Sequence, residues 1–218
     1  AENGDIYIEN SAGDINLDNT RLATLNTTGT KYNVDANGNR TVVASGSTKG
    51  QAGGEIYLKA GKSVDVKDST LKTTGTTAQN TNAGRIRVYG YGSEAGDHVN
   101  IDNTVILSDG NTAIASANVT NINNSSIEAA NGVDNYQYKN ARIVGSNEVN
   151  INDSLVAGKG NVEIISKSET GATKGNINIT SSRDAEGDNS TLIYAGNELK
   201  IEGKNTLSDD TSLRYKTI

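Results

Sequence analysis

A short phrase recurs along this 218-residue chain, and it limits the fold more than any other feature does. Each copy has two apolar residues flanking one polar residue, then Asn or Asp, then Ser or Thr, then one more apolar residue. Copies lie at 13–22, 63–71, 98–106 and 148–155, with a variant at 121–127. Such repetition indicates one supersecondary unit stacked on copies of itself. The sequence therefore predicts a rod.

Strand patterns occur throughout the chain, whereas apolar residues at helical spacing are nearly missing. The apolar–polar–apolar triplets are Ile6–Ile8, Ile15–Leu17, Ile56–Leu58, Val64–Val66, Ile86–Val88, Val99–Ile101, Val149–Ile151, Val162–Ile164, Ile177–Ile179 and Leu199–Ile201. In a strand the two flanking residues point inward and the middle residue points to solvent. Each triplet is therefore predicted to be a short strand with one buried face.

Turn residues border these triplets. Glycine precedes many of them and permits a positive φ, and Asn or Asp follows and tolerates the left-handed conformation. Asn at equivalent corners can also form ladders of hydrogen-bonded amides. The strands are ~3–5 residues long and the phrase returns every ~20–35 residues, which is about one turn of a parallel β-helix with three short strands per coil and inserts. At ~4.8 Å per coil, roughly eight to ten coils would give a rod about 40–50 Å long.

The composition fits a narrow core. Only 33% of the chain is hydrophobic and 4% aromatic, and all nine aromatic residues are Tyr. The interior is therefore expected to consist of Ile, Val, Leu and Ala. Cys is absent, which excludes disulfides and thiol chemistry, and Pro is absent, which suits consecutive hydrogen-bonded strands. The net charge of −6 disfavours nucleic acid as a partner. We expect neither a cofactor nor a metal.

Five polar segments interrupt the repeats and are predicted to be loops that project from the rod. They are 28–53, 73–83, 131–141, 166–174 and 182–190. Loops of this kind usually carry recognition.

Tyrosines supply the candidate ligand-binding residues, which are Tyr89, Tyr91, Tyr136 and Tyr138. Rings separated by one Gly, as in Tyr89-Gly90-Tyr91, can lie flat and stack on sugars or anchor a protein partner. The alternative is that these rings only pack against the flank of the rod.

Catalytic chemistry finds little support. His98 is the single histidine, without a recognisable nucleophile or metal-ligand pattern around it. Clustered carboxylates occur at Asp209-Asp210 and among Asp184, Glu186 and Asp188, but they adjoin no recognisable catalytic motif. We therefore expect no enzymatic activity and no catalytic residue.

Three segments carry a resemblance to a known family. They are 53–61 (GGEIYLKAG), 64–71 (VDVKDSTL) and 82–88 (NAGRIRV). They resemble the repeats of filamentous haemagglutinin-like adhesins, the large exoproteins of bacterial two-partner secretion systems. The resemblance implies a right-handed parallel β-helix, displayed outside the cell after export through an outer-membrane transporter.

These observations predict an all-β chain in which residues 1–218 form a single parallel β-helix, a fragment of or a subunit in a longer fibre. The expected function is the shaft of a secreted bacterial surface adhesin or extracellular fibre. Its expected partners are glycans or proteins of host or bacterial surfaces. One alternative is a self-assembling filament whose subunits stack coil on coil and associate end to end. An alternative of another class is a β-helical polysaccharide-degrading enzyme or phage tailspike.

Overall fold

The computed structural model describes residues 5–24, 31–34, 40–44, 54–73, 84–129, 140–167, 173–182, 190–207 and 211–215. Within these ranges the chain is all β, without a helix. No helix there has the length and apolarity that crossing a membrane requires. Three seven-stranded parallel sheets form the body of the molecule.

Consecutive strands belong to different sheets, so the chain visits the three sheets in turn. The first sheet contains β1 (Ile6–Asn10), β6 (Ile56–Ala60), β9 (Ile86–Gly90), β12 (Thr112–Ser116), β15 (Ala141–Gly145), β18 (Val162–Ser166) and β21 (Leu199–Glu202). The second contains β2 (Ile15–Asp18), β7 (Val64–Lys67), β10 (His98–Asp102), β13 (Val119–Asn123), β16 (Glu148–Asn152), β19 (Asn176–Thr180) and β22 (Lys204–Leu207). The third contains β3 (Arg21–Thr24), β8 (Thr70–Thr73), β11 (Val105–Leu107), β14 (Ser126–Ala129), β17 (Leu155–Gly158), β20 (Leu192–Ala195) and β23 (Ser212–Tyr215).

This order makes a parallel β-helix, which confirms the predicted architecture. One strand from each sheet forms a coil, so the described strands make seven coils. Seven coils at ~4.8 Å spacing give a stack about 30 Å long. The prediction of eight to ten coils was wrong because inserts lengthen some coils. Ile6 pairs with Ile56, 50 residues on, whereas His98 pairs with Val119, only 21 residues on.

The core is a set of aliphatic columns inside the coils. One column of register partners, Leu58, Val88, Ile114, Ile143 and Ile164, is fully buried. All ten predicted triplets lie in strands, and the middle residue is more exposed than its neighbours in all of them, as at Ile56-Tyr57-Leu58. The buried hydrophobic residues of the described part are all Ile, Leu, Val or Ala, as predicted.

The corner between the second and third sheets explains the polar half of the phrase. Its Asn or Asp has positive φ in five coils, at Asn19, Asp68, Asn103, Asn124 and Asp153. From the second coil on, the Ser or Thr that follows is buried, and its hydroxyl accepts the backbone N–H of the equivalent residue one coil earlier. Examples are Thr104 N–H to Ser125 Oγ at 3.0 Å and Ser125 N–H to Ser154 Oγ at 3.1 Å. This buried ladder satisfies backbone donors that the turn leaves unpaired.

The positive φ expected of the glycines before the triplets occurs at one of the six that the structure describes. Of those before the triplets, Gly84 has positive φ, at 66°, but Gly175 and Gly196 do not. At these two positions the coils approach too closely for a side chain. A Cβ on Gly175 would lie 2.2 Å from the Asn147 carbonyl oxygen, and one on Gly196 would lie 2.1 Å from that of Lys159.

The predicted loop at 28–53 contains two strands, β4 (Lys31–Val34) and β5 (Arg40–Ala44), which pair antiparallel. Most of the other four predicted loops lies outside the described residues.

Candidate functional site

The outer face of the first sheet contains the described tyrosine candidates. Tyr89 lies within β9 and is half-buried, and Tyr91 follows that strand with 54% of its surface exposed. Tyr136 and Tyr138 lie outside the described residues.

Four tyrosines from the first three coils form a row on this face. The ring centroids are 5.5 Å apart for Tyr7 and Tyr57, 5.7 Å for Tyr57 and Tyr89, and 6.3 Å for Tyr89 and Tyr91. Interplanar angles of 81–83° make every contact edge-to-face. The prediction that the Tyr89 and Tyr91 rings lie flat would require them to be coplanar. Their interplanar angle of 81° shows that they are not. Burial raises the pKa of Tyr89, so its phenol stays neutral through the physiological range.

An ion-pair cluster fixes the arginines beside this row. Glu55 is 5% exposed and accepts hydrogen bonds from Arg87 Nε and from Arg87 Nη2, the latter at 2.9 Å. Arg85 Nη2 lies 3.5 Å from the same carboxylate. The Arg87 guanidinium also lies 4.4 Å from the centroid of the Tyr57 ring. The hydrogen bonds to Glu55 raise the pKa of Arg87, which secures its positive charge.

The strand β12 forms the floor of a groove across this face. Its outward side chains are Ala113 and Ala115, whereas the neighbouring coils present longer ones. Ala113 pairs with Arg87 on one side and Arg142 on the other. Ala115 likewise pairs with Tyr89 and with Val144. We name this depression, with its alanine floor and its walls of Arg87, Tyr89, Arg142 and Val144, the alanine groove.

Two cavities occupy the alanine groove. One of about 290 Å³ lies towards the start of β12 and the other, of about 250 Å³, lies towards its end. Tyr89 and Arg142 line both cavities. The arginine is 56% exposed, and its Nε lies 3.1 Å from Glu163 Oε2.

Asparagines close the larger cavity at the start of the strands. Asn111, Asn140 and Asn161 line it in three successive coils. Asn111 Oδ1 accepts the Asn140 N–H at 2.9 Å, and Asn140 Oδ1 accepts the Asn161 N–H at 2.7 Å. Because these oxygens are occupied, Asn111 and Asn140 can offer mainly their NH₂ hydrogens to a ligand. The surface thus combines an aromatic wall, apolar methyl groups, fixed cations and amide donors.

The second sheet presents a contrasting outer face, which the sequence reasoning did not place. Its central column contains a continuous ladder in which each Asn side chain donates to the residue one coil earlier. The bonds are Asn100 to Asp65 at 2.9 Å, Asn121 to Asn100 at 2.5 Å, Asn150 to Asn121 at 2.8 Å and Asn178 to Asn150 at 2.8 Å. The signal was present, because each is the polar residue inside an apolar triplet or its variant. Amide bonds also occur at corners, as expected, since Asn147 Nδ2 donates to Asn118 Oδ1 at 2.8 Å.

The remaining polar candidates do not assemble into a reaction centre in the described part of the chain. His98 begins β10, with Nδ1 2.6 Å from the Gly96 oxygen and Nε2 3.1 Å from Asp65 Oδ1. No cluster of three metal-ligating side chains occurs there. The carboxylates at 184–188 and 209–210 lie outside the described residues.

The walls of the alanine groove come from separate coils, so their neighbourhood was not visible in the sequence. Arg87, Ala113 and Arg142 are adjacent on the sheet although 26 and 29 residues separate them along the chain. The tyrosine motif predicted Tyr89, which belongs to one wall. Neither the alanine floor nor the wall formed by Arg142 and Val144 was predicted. Comparison with protein-family models, curated proteins and solved structures finds no match to this chain.

Proposed function

We propose that this chain forms part of the shaft of a secreted bacterial surface adhesin or extracellular fibre. The observation that carries the proposal is the unbroken stacking of seven coils in parallel register. Each coil joins the next through three parallel strand pairs. Further coils can therefore be added with the same strand pairing.

Two hydrogen-bonded ladders support a mechanical role. The hydroxyl ladder lies at a buried corner and the amide ladder on the outer face, and both run along the stack. They join successive coils without a ligand, the hydroxyl ladder through bonds from backbone N–H to side chain and the amide ladder through bonds between side chains. A stack held in this way suits the display of a binding surface at a distance from the cell.

The first sheet is the surface that we propose for contact with a host or bacterial glycan or protein. Its aromatic row and arginines differ from coil to coil, as expected for recognition. The carboxylates on this surface are already engaged, Glu55 by Arg87 and Glu163 by Arg142. This pairing favours binding over the acid–base chemistry of a polysaccharide-degrading enzyme.

An adhesion assay with coated beads tests the proposal. Beads carrying the purified chain should adhere to bacterial or epithelial cells, and beads carrying an Ile122→Asp variant should not, because a buried charge in the core abolishes folding. Equal adhesion of the two preparations, or none above bare beads, would overturn the adhesive role.

Analytical ultracentrifugation at several concentrations separates the shaft from the self-assembling filament. A shaft segment should sediment as one species whose frictional ratio does not depend on concentration. Growth into long polymers, seen as fibres by electron microscopy, would replace the shaft with the filament.

A further inference from the structure

We propose that the alanine groove binds a linear saccharide chain that carries carboxylates, such as a polyuronate. The proposal rests on the adhesive function for its biological setting. Its chemistry rests only on the residues of the groove.

The shape of the groove suits one extended chain. Its floor is the five-residue strand β12, about 17 Å long. The walls stand on the two neighbouring coils, whose backbones are about 10 Å apart. A ligand in the groove would therefore lie across the rod and parallel to the strands.

The apolar part of the groove suits the faces of sugar rings. Ala113 and Ala115 offer methyl groups, and Tyr89 offers an aromatic wall that reaches both cavities. The C–H groups on a pyranose face pack on such surfaces, and few polar groups are needed to fix the orientation. The amide groups of Asn111 and Asn140 can donate to sugar hydroxyls at one end of the groove.

The charges of the groove favour an anion. The larger cavity is lined by three arginines, Arg85, Arg87 and Arg142, and by one carboxylate, Glu163. Glu55 pairs with Arg87 beside the cavity, so the guanidinium groups outnumber the carboxylates by one. Arg85 Nε is buried without a hydrogen-bond partner in the described structure. This local excess of guanidinium occurs in a chain of net charge −6, so it is not a general property of the surface. Guanidinium groups bind carboxylates through paired, charge-assisted hydrogen bonds.

A peptide fits this groove less well than a saccharide. The floor is the face of a sheet, and β12 is already paired with β9 on one side and β15 on the other. A peptide therefore cannot add to the sheet as a strand, which is how extended peptides usually satisfy their backbone groups.

Titration calorimetry with an oligomer of galacturonic acid tests the proposal directly. The methyl-esterified oligomer is the matched probe, because it has the same rings without the charge, and oligoglutamate supplies an acidic peptide. We expect the free acid to bind at least tenfold more tightly than either of the other two, since only the free acid offers both the sugar rings and the charge that strengthens hydrogen bonds to guanidinium.

Three variants locate the binding. Arg142→Gln removes an exposed cation and should weaken binding about tenfold, and Ala115→Leu should block the groove and abolish binding. Lys67→Gln removes an exposed cation from the second sheet and should change nothing. Thermal unfolding of each variant confirms that it is folded.

Equal binding of the ester, or an equal loss in Lys67→Gln, would overturn carboxylate recognition in the groove. Tighter binding of oligoglutamate would assign the groove to an acidic peptide. Absence of all binding, with beads that still adhere, would reject the saccharide and leave the adhesive shaft in place. Absence of both would reject the two proposals together.

Discussion

The outer faces of the first and second sheets have the same backbone spacing, but the side chains repeat from coil to coil on the second sheet and vary on the first. On the second sheet the central column repeats one chemistry, with Asn100, Asn121, Asn150 and Asn178 bonded in series. On the first sheet a column in the same kind of register changes at every coil after the second. Its members are Tyr7, Tyr57, Arg87, Ala113, Arg142, Glu163 and Lys200.

The difference separates support from recognition. In the amide ladder each interior side chain uses its NH₂ group and its oxygen on neighbouring coils, so the column is satisfied by itself. In the varied column the charged groups pair with different partners, Arg87 with Glu55 and Arg142 with Glu163, and the alanines leave space. A face with an open groove and arginines in the walls of that groove suits the binding of a ligand.

The largest expected effect tests whether the two faces share one interior. Ile122 lies beneath the second sheet and Ile143 beneath the first, and both are fully buried. Replacing either with Ala should cost about 2–5 kcal/mol of unfolding free energy, because each leaves a cavity in a continuous core. Urea denaturation measures both variants. Costs that differ by more than about 2 kcal/mol would mean that one sheet contributes more to the core than the other.

Much of this interior was predictable from local pattern. The triplet Ile56-Tyr57-Leu58 shows its strand and its buried face in three residues, because alternation is a local property. The strand β12 was missed, since the small residues in Thr112-Ala113-Ile114 give no alternating contrast. The number of coils was overestimated because inserts between strands cannot be distinguished from additional coils in the sequence.

The outer faces were far less predictable, because they depend on register between coils. The Asn of each triplet could be assigned to solvent, but its bond to the next Asn requires the strands to stack without slippage. The same applies to the alanine groove. Tyr89 was predicted as a ligand-binding residue because it belongs to a distinctive motif. Ala113 has no functional group, and it forms the floor of the groove only because it lies between Arg87 and Arg142.

A smaller loss is expected when the amide ladder is interrupted. Asn121→Ala removes the donor to Asn100 and the acceptor from Asn150, at about 0.5–1.5 kcal/mol for each bond. Asn121→Asp keeps the acceptor and should lose about half as much. Urea denaturation again gives the measurement, and a variant as stable as the parent would show that the ladder does not support the rod.

Alkaline pH should affect the first sheet selectively. Burial raises the pKa of Tyr89 above its ordinary value of 10.0, so the folded state favours the neutral phenol. The resulting stability is complete below pH 10 and is lost as the pH rises through the folded pKa. Tyr89→Phe keeps the ring and cannot ionise, so the parent should lose stability relative to this variant above pH 10. Melting temperatures across that range measure the difference, and parallel curves would contradict the assigned burial.

The smallest effect completes the contrast between the faces. Arg142 and Glu163 form an ion pair on the first sheet with side chains 56% and 37% exposed. Solvent screens such a pair, so Arg142→Ala should change the unfolding free energy by less than about 1 kcal/mol. The ladder variant Asn121→Ala removes a less exposed side chain and should cost more, because its two bonds join three coils. If Arg142→Ala proved the more destabilising of the two, Arg142 would stabilise the fold, and ligand binding would not be needed to explain its position in the groove wall. A fold indifferent to Arg142 would instead leave saccharide binding as the property that this side chain serves.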